Sequence, residues 1–212
     1  MPSSITSHHE SSTRQRIVEA ADALFYQRGF EKTSFADIAG QVKLSRGNFY
    51  HHFKTKDEIL SAVIELRAAH TQAMLEHWTA SEETPMARLG CFAEMLIRNR
   101  KDIQRYGCPV GTLCAELAKL EHPAHGEAGM IFGQFRHWLR EQFMALGRRA
   151  DADVLAMHLL SRSQGIASLA NAFHDETFIR REVAQIHDWL LTLHPEEPAA
   201  RRRAKTSNPP KP

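Results

Sequence analysis

Apolar residues recur along this chain at three- and four-residue spacing, and no stretch alternates with the period of two that marks a half-buried strand. Ile17, Ala21, Leu24 and Phe25 make one such face, with Thr13 as an N-cap and Gly29 as a stop, which predicts a first helix. A short helix is predicted over 35–42, "FADIAGQV", capped by Ser34 and turning Phe35, Ile38, Ala39 and Val42 inward. The turn "KLS" follows, with Leu44 as its buried anchor, and Ser45 caps a second short helix, "RGNFYHHF". Further on the pattern predicts helices over 56–80, 85–105, 109–121, 123–147, 151–173 and 175–193. Pro85, Pro109 and Pro123 stand at three of their starts, where a missing N–H costs nothing. The fold class is all-α, without an internal repeat.

The ends lack this pattern. Residues 1–11 are polar and rich in Ser and His, and the tail "PEEPAARRRAKTSNPPKP" carries five prolines, so both are expected to be disordered. The chain therefore divides into a disordered N-terminus (1–11), a helix-turn-helix unit (12–56), a larger helical unit (57–194) and a disordered basic tail (195–212).

Two helices of about two turns each, joined by three or four residues, form a helix-turn-helix, and small Ala39 lets them cross closely. Phe49 and Phe53 are four apart and share the buried face. Arg46, Gly47, Asn48, Tyr50, His51 and His52 are left off that face, a set suited to a DNA duplex. Arg46 and Asn48 can read base edges, guanine and adenine respectively, and Gly47 removes bulk where a helix meets the groove. Tyr50, His51, Lys54 and Lys56 can donate to phosphates, and Thr33 and Ser34 can hold another at the start of the first short helix. Adjacent His51 and His52 point about 100° apart on a helix, which argues against a shared metal ion.

Charge sharpens this reading. The net charge of +2 splits into +3 over 1–56, −4 over 57–194 and +3 over 195–212. A basic head on an acidic body suits a polyanion held at the head alone. No apolar run reaches the ~18–20 residues of a membrane span, the N-terminus lacks the apolar core of a signal peptide, and three cysteines make no disulfide framework. A cytoplasmic protein is expected.

The segment from Thr13 to Val63 resembles the DNA-binding domain of the TetR family of bacterial transcriptional regulators. The resemblance rests on an "A…LF…G…T…IA" frame, an "S-x-G-x-x-Y-x-H-F" recognition segment and the "K-x-K-D-x-x-L" that follows. It implies a homodimer on a palindromic operator, usually repressing, with a helical C-terminal ligand domain. The family's base-reading positions fall on Arg46, Gly47 and Asn48, and its phosphate positions on Thr33, Tyr50, His51 and Lys56.

In the body, Leu155, Leu159, Ile166, Leu169 and Phe173 form one stripe, and Ile179, Val183, Ile186 and Leu190 another. Small Ser161, Gly165, Ser168 and Ala172 run along the first, letting backbones approach closely. An internal helix pair and a symmetric interface fit this pattern equally, and the resemblance implies the interface, a four-helix bundle made by two copies. Phe92, Met95, Phe135 and Trp138 are candidate pocket walls, together with Leu96, Met130, Phe132, Leu139 and Phe143.

"RYGCPVGTLCAELAKL" places Cys108 at the start of a helix whose face is Val110, Leu113, Leu117 and Leu120, with Arg105 near and Cys114 six residues on. A thiol at a helix N-terminus is favoured as thiolate, its reactive form. The segment also resembles TetR-family members in which a cysteine at this place responds to electrophiles or oxidants, while others with a similar segment bind small organic ligands noncovalently. A small buried hydrophobe is the alternative for Cys108. His122, His125 and His137 lack completing ligands, so no metal and no cofactor is expected.

The expected function is a ligand- or redox-responsive regulator whose partners are an operator duplex, a small organic ligand or electrophile, and a second copy. The effector would act by tilting the long helix that begins near Lys56. The rival is a small all-α enzyme or ligand carrier using the apolar pocket. No nucleophile–base set, phosphate-cradling glycine loop or carboxylate pair supports it, and no catalytic residue is assigned.

Overall fold

The structure is a computed structural model describing residues 4–193, with the side chains of 4–12 and of Arg46 outside the description. The basic tail lies outside the described residues. Those described form helices and connecting turns, with no strand among them. In order they are α1 (Ser4–Arg28), α2 (Phe35–Val42), α3 (Arg46–His52), α4 (Lys56–Ser81), α5 (Pro85–Arg98), α6 (Arg100–Tyr106), α7 (Pro109–Lys119), α8 (His125–Ala145), α9 (Ala152–Phe173) and α10 (Glu176–Thr192).

The starts follow local chemistry. Ser34 and Asp37 form a reciprocal capping box on α2, and the hydroxyls of Ser45, Thr55 and Thr84 accept the N–H of Asn48, Glu58 and Ala87. Pro85 and Pro109 occupy the first helical positions of α5 and α7. Gly29 ends α1 at φ +93°, a conformation that glycine reaches without strain.

Three boundaries differ from the sequence reading. The α1 backbone is helical from Ser4, so Thr13 is not an N-cap but a buried residue inside the helix. Residues 4–12 hold no glycine or proline, and extending an existing helix costs far less than nucleating one. The helix expected over 85–105 is broken at Asn99, whose side-chain amide donates to the Met95 carbonyl at 3.0 Å, a back-bond that bends helices. Pro123 lies in the turn before α8 rather than at its first position, since the turn leaving α7 runs through His122, whose N–H donates to Leu117 O.

One apolar core joins the two halves. Ile17, Phe25, Ile38, Phe49, Phe53, Ile59 and Leu60 are buried at the head, and Leu89, Phe92, Leu139, Phe143, Leu159, Ile166 and Ile186 in the body. α4 is common to both, packing on α1 and on α8. α8 and α9 make the central pair of the body, with α5 and α10 beside them.

Candidate functional site

α3 is held by its buried residues and so presents the others. Phe49 and Phe53 are essentially inaccessible, and Phe49 meets Phe35 edge-on at 5.3 Å. The Tyr50 ring lies parallel to Phe35, 15° between planes at 5.3 Å, which fixes where the phenol can stand. Lys43, in the left-handed conformation at φ 55°, turns the chain between α2 and α3. Gly47, Asn48 and His51 are exposed on the outer side. A Cβ built on Gly47 meets nothing within 4 Å. Its missing side chain thus serves no contact inside the protein, as expected where another molecule approaches. Arg46 opens α3, and its side chain is outside the description.

Four of the expected phosphate contacts are instead engaged within the protein. Thr33 is buried, and its hydroxyl donates to the Gly29 carbonyl at 2.7 Å. The Ser34 hydroxyl accepts the Asp37 N–H and donates to the Asp37 carboxylate, whose pKa those Ser34 bonds depress. The start of α2 therefore already holds an anion of its own. Lys54 Nζ donates to the Tyr50 carbonyl. Lys56 Nζ donates to the carbonyls of Phe30 and Glu31 and stands 4.2 Å over the Phe30 ring. Those types and spacings fit phosphate binding equally well in sequence; only the fold supplies nearer partners.

The second feature is a cavity of about 440 Å³ between α1 and helices α4–α9. Met74, Phe92, Met95, Leu96, Phe132 and Phe135 give it apolar walls, with the Phe92 and Phe135 rings edge to face at 5.7 Å. Cys108 belongs to its lining. Its Sγ caps α7 by accepting the Gly111 N–H at 3.4 Å. Of the expected sensor residues Phe92, Met95, Phe135 and Cys108 thus meet at one place.

Trp138 and Cys114 do not. The Trp138 indole N–H donates to Thr79 Oγ1 at 2.9 Å, and its ring packs on Trp78, bordering a separate groove between α4 and α8. Cys114 is not part of the cavity lining, and burial raises its pKa, as it does for Cys91. Met130 is exposed on α8, while Leu139 and Phe143 are core.

The polar part of the cavity was not foreseen. Asp22, Tyr26, Arg67, Asp102 and Gln164 all line it. Arg67, nearly inaccessible, pairs with the Asp22 carboxylate at 2.6 Å and also donates to the Pro109 carbonyl. The Tyr26 hydroxyl donates to the Gly107 carbonyl at 2.7 Å; burial, and then the Asp102 carboxylate, raise its pKa far above the ordinary phenol value. These partners are 42 to 81 residues apart, and no local pattern announces them. Among the described residues no three His, Cys, Asp or Glu side chains converge as metal ligands. His122 packs against Phe30, with Asp57 Oδ1 at 3.5 Å.

The stripe residues need correction as interface candidates. Leu159, Ile166, Val183, Ile186 and Leu190 are at most 3% exposed within one chain, and Leu155 is half-buried, so the chain's own core covers them. Leu169 and Phe173 are exposed, at 45% and 74%. Periodicity reveals an apolar face but not which neighbour covers it. No described helix is long and apolar enough to cross a membrane.

Comparison with known proteins places these features. Residues 17–63 match the model for "Bacterial regulatory proteins, tetR family". An uncharacterised HTH-type transcriptional regulator from the lacX 3' region of Lactococcus lactis is 29% identical over 169 residues, covering 77% of this chain and 86% of that protein. The HTH-type transcriptional regulator TtgR of Pseudomonas putida is 34% identical over 94 residues, 44% of this chain and 43% of its own. The crystal structure of a TetR-family regulator from Cytophaga hutchinsonii superposes with a TM-score of 0.78 over 89% of this chain and 98% of that one, at 17% identity. With the family's N-terminal model lying on α1 to α4 and a like fold extending over the body, the chain carries a DNA-binding unit similar to that of the TetR family, and it is a DNA-binding transcriptional regulator.

Proposed function

We propose that the protein is a ligand- or redox-responsive repressor that binds a palindromic operator as a homodimer. The observation that carries the responsive part is the cavity itself: its walls include α1, a helix of the DNA-binding unit, together with Cys108. An occupant there touches both halves of the molecule. Its aromatic and methionine walls suit an apolar organic ligand, and Asp22, Arg67, Asp102 and Gln164 supply a few polar groups for orientation. Cys108 adds a nucleophile for an electrophile entering the same space.

Arg46, Gly47 and Asn48 take the base-reading role, with Tyr50 and His51 on the flanking phosphates. The dimer surface is assigned to the exposed side of α9, where Val154, Met157, Leu169 and Phe173 stand beside Ser161, Gly165, Ser168 and Ala172, and to Leu191 on α10. Exposed apolar residues concentrated on one helix mark an interaction surface. Two copies would set their recognition helices about 34–36 Å apart, matching successive major grooves.

Fluorescence anisotropy with the DNA flanking the protein's own gene, over a salt series and beside random duplex, tests this. Tighter binding to one palindromic segment is expected. Equal affinity for both DNAs would remove the operator reading, and no binding at any salt would return the enzyme or carrier alternative.

A further inference from the structure

The sequence reading carried the effector's signal along α4. A more direct route is built into α1. Asp22, Ala23 and Tyr26 of that helix line the cavity, and three ties join α1 and the turn after it to the segment from Gly107 to Glu116. Tyr26 donates its hydroxyl to the Gly107 carbonyl at 2.7 Å. Arg67 bridges the Asp22 carboxylate and the Pro109 carbonyl. The Glu116 carboxylate accepts two consecutive main-chain N–H groups, those of Phe30 and Glu31, at 2.9 and 3.0 Å.

These ties have a particular geometry. Cys108 lies between the two residues whose carbonyls are held, so displacement of its side chain moves the acceptors of Tyr26 and Arg67. From Cys108 to Glu116, α7 is a rod of eight residues' rise, about 12 Å. At its far end a charged acceptor on two peptide N–H groups is stronger and more directional than a neutral bond. Gly29 makes room for it: a Cβ there would stand 2.8 Å from Glu116 Oε1. The peptides so held lead directly into Ser34 and α2, on which α3 rests.

We propose that α7 is the read-out element of the cavity: a ligand or Cys108 adduct that shifts it acts on α1 through Tyr26 and Asp22, and on the α1–α2 turn through Glu116, moving the recognition helix. This regulatory route rests on the responsive function proposed above.

The test uses iodoacetamide on the full chain carrying Cys91→Ser and Cys114→Ser. The Cys108 thiolate displaces iodide, forming one S–C bond, and the thiol proton goes to the buffer. Hydrogen exchange at the Phe30 and Glu31 amides and operator anisotropy are read before and after. Alkylation is expected to speed exchange at both amides about tenfold and to weaken operator binding about five- to 150-fold. Adding Glu116→Ala and Tyr26→Phe is expected to give fast exchange from the outset and less than about a twofold further effect of alkylation. Glu116→Gln, which keeps one acceptor oxygen and the side-chain volume, is expected to fall between.

Alkylation that leaves exchange at Phe30 and Glu31 unchanged overturns the proposal. So does an equal loss of operator affinity with the Tyr26 and Glu116 ties removed and only the Arg67 bridge left. If the unmodified protein prefers no operator, the proposed function fails, while the exchange measurement still decides whether α7 and the α1–α2 turn are coupled.

Discussion

Lys56 Nζ stands 4.2 Å above the Phe30 ring and donates to the Phe30 carbonyl at 3.1 Å, joining the start of α4 to the turn between α1 and α2. A lysine at the edge of a DNA-binding unit is here a tie within it. Lys56→Ala is expected to cost about 1–2 kcal/mol from the lost ring contact and hydrogen bond. Calorimetry would show this as a fall of about 2–8 °C in Tm for a chain of this size. The salt slope of DNA binding should stay where it is, whereas losing a real phosphate contact lowers it by about 0.9.

Thr33 behaves alike for a different reason. Its hydroxyl is buried on the Gly29 carbonyl, so Thr33→Val leaves an acceptor without its donor. A loss of about 1–3 kcal/mol is expected in denaturant unfolding. The folded fraction should bind random duplex as the parent does; weakened binding would restore Thr33 to the phosphate contacts.

At α3 stability and affinity are expected to move apart. Since a Cβ at Gly47 meets nothing, Gly47→Ala should gain up to about 1 kcal/mol of stability by helix propensity. The same methyl group would stand toward the duplex and weaken operator binding. Asn48→Ala should cost about 1–3 kcal/mol on the operator and little on random DNA. Equal losses on both DNAs would count against base reading.

The α9 surface separates two kinds of apolar residue. Phe173→Glu with Leu169→Asp places charge on exposed positions and is expected to give a folded monomer by sedimentation, with weakened operator binding. Ile186→Ala instead truncates a fully buried side chain and is expected to cost about 2–5 kcal/mol within the protomer. Dimer retained in the double variant would move the interface elsewhere.

The thiols should be distinguishable by pH. Burial raises the pKa of Cys91 and Cys114, so at neutral pH each is less thiolate than a free cysteine, and its alkylation accelerates as pH rises toward and past 9. Cys108, lining the cavity, is expected to take up iodoacetamide first in a peptide-mapped time course at pH 7. Prior labelling of Cys114 would contradict the placement of the cavity.

Much of this molecule follows from local rules. Ser34, Ser45, Thr55 and Pro109 start their helices as residue type dictates, and Gly29 stops α1, because capping acts over three or four residues. The outward set on α3 is legible too, since Phe49 and Phe53 leave it no other side. Asn99 and Pro123 show the limit of such rules, where a side chain or a turn competes with the helix.

Partner choice is the part that required the fold. Lys56 and Thr33 have the chemistry of phosphate ligands, and Leu159 and Ile186 the periodicity of an interface, yet each meets an intrachain neighbour first. The Glu116 tie to Phe30 spans 86 residues and that of Tyr26 to Gly107 spans 81. Hydrogen-bonding capacity and apolar area belong to a residue wherever it stands, so they can be read along the chain. Which group satisfies them depends on distances set only when the helices pack, and it is there that Lys56 meets Phe30 and Glu116 meets the turn after α1.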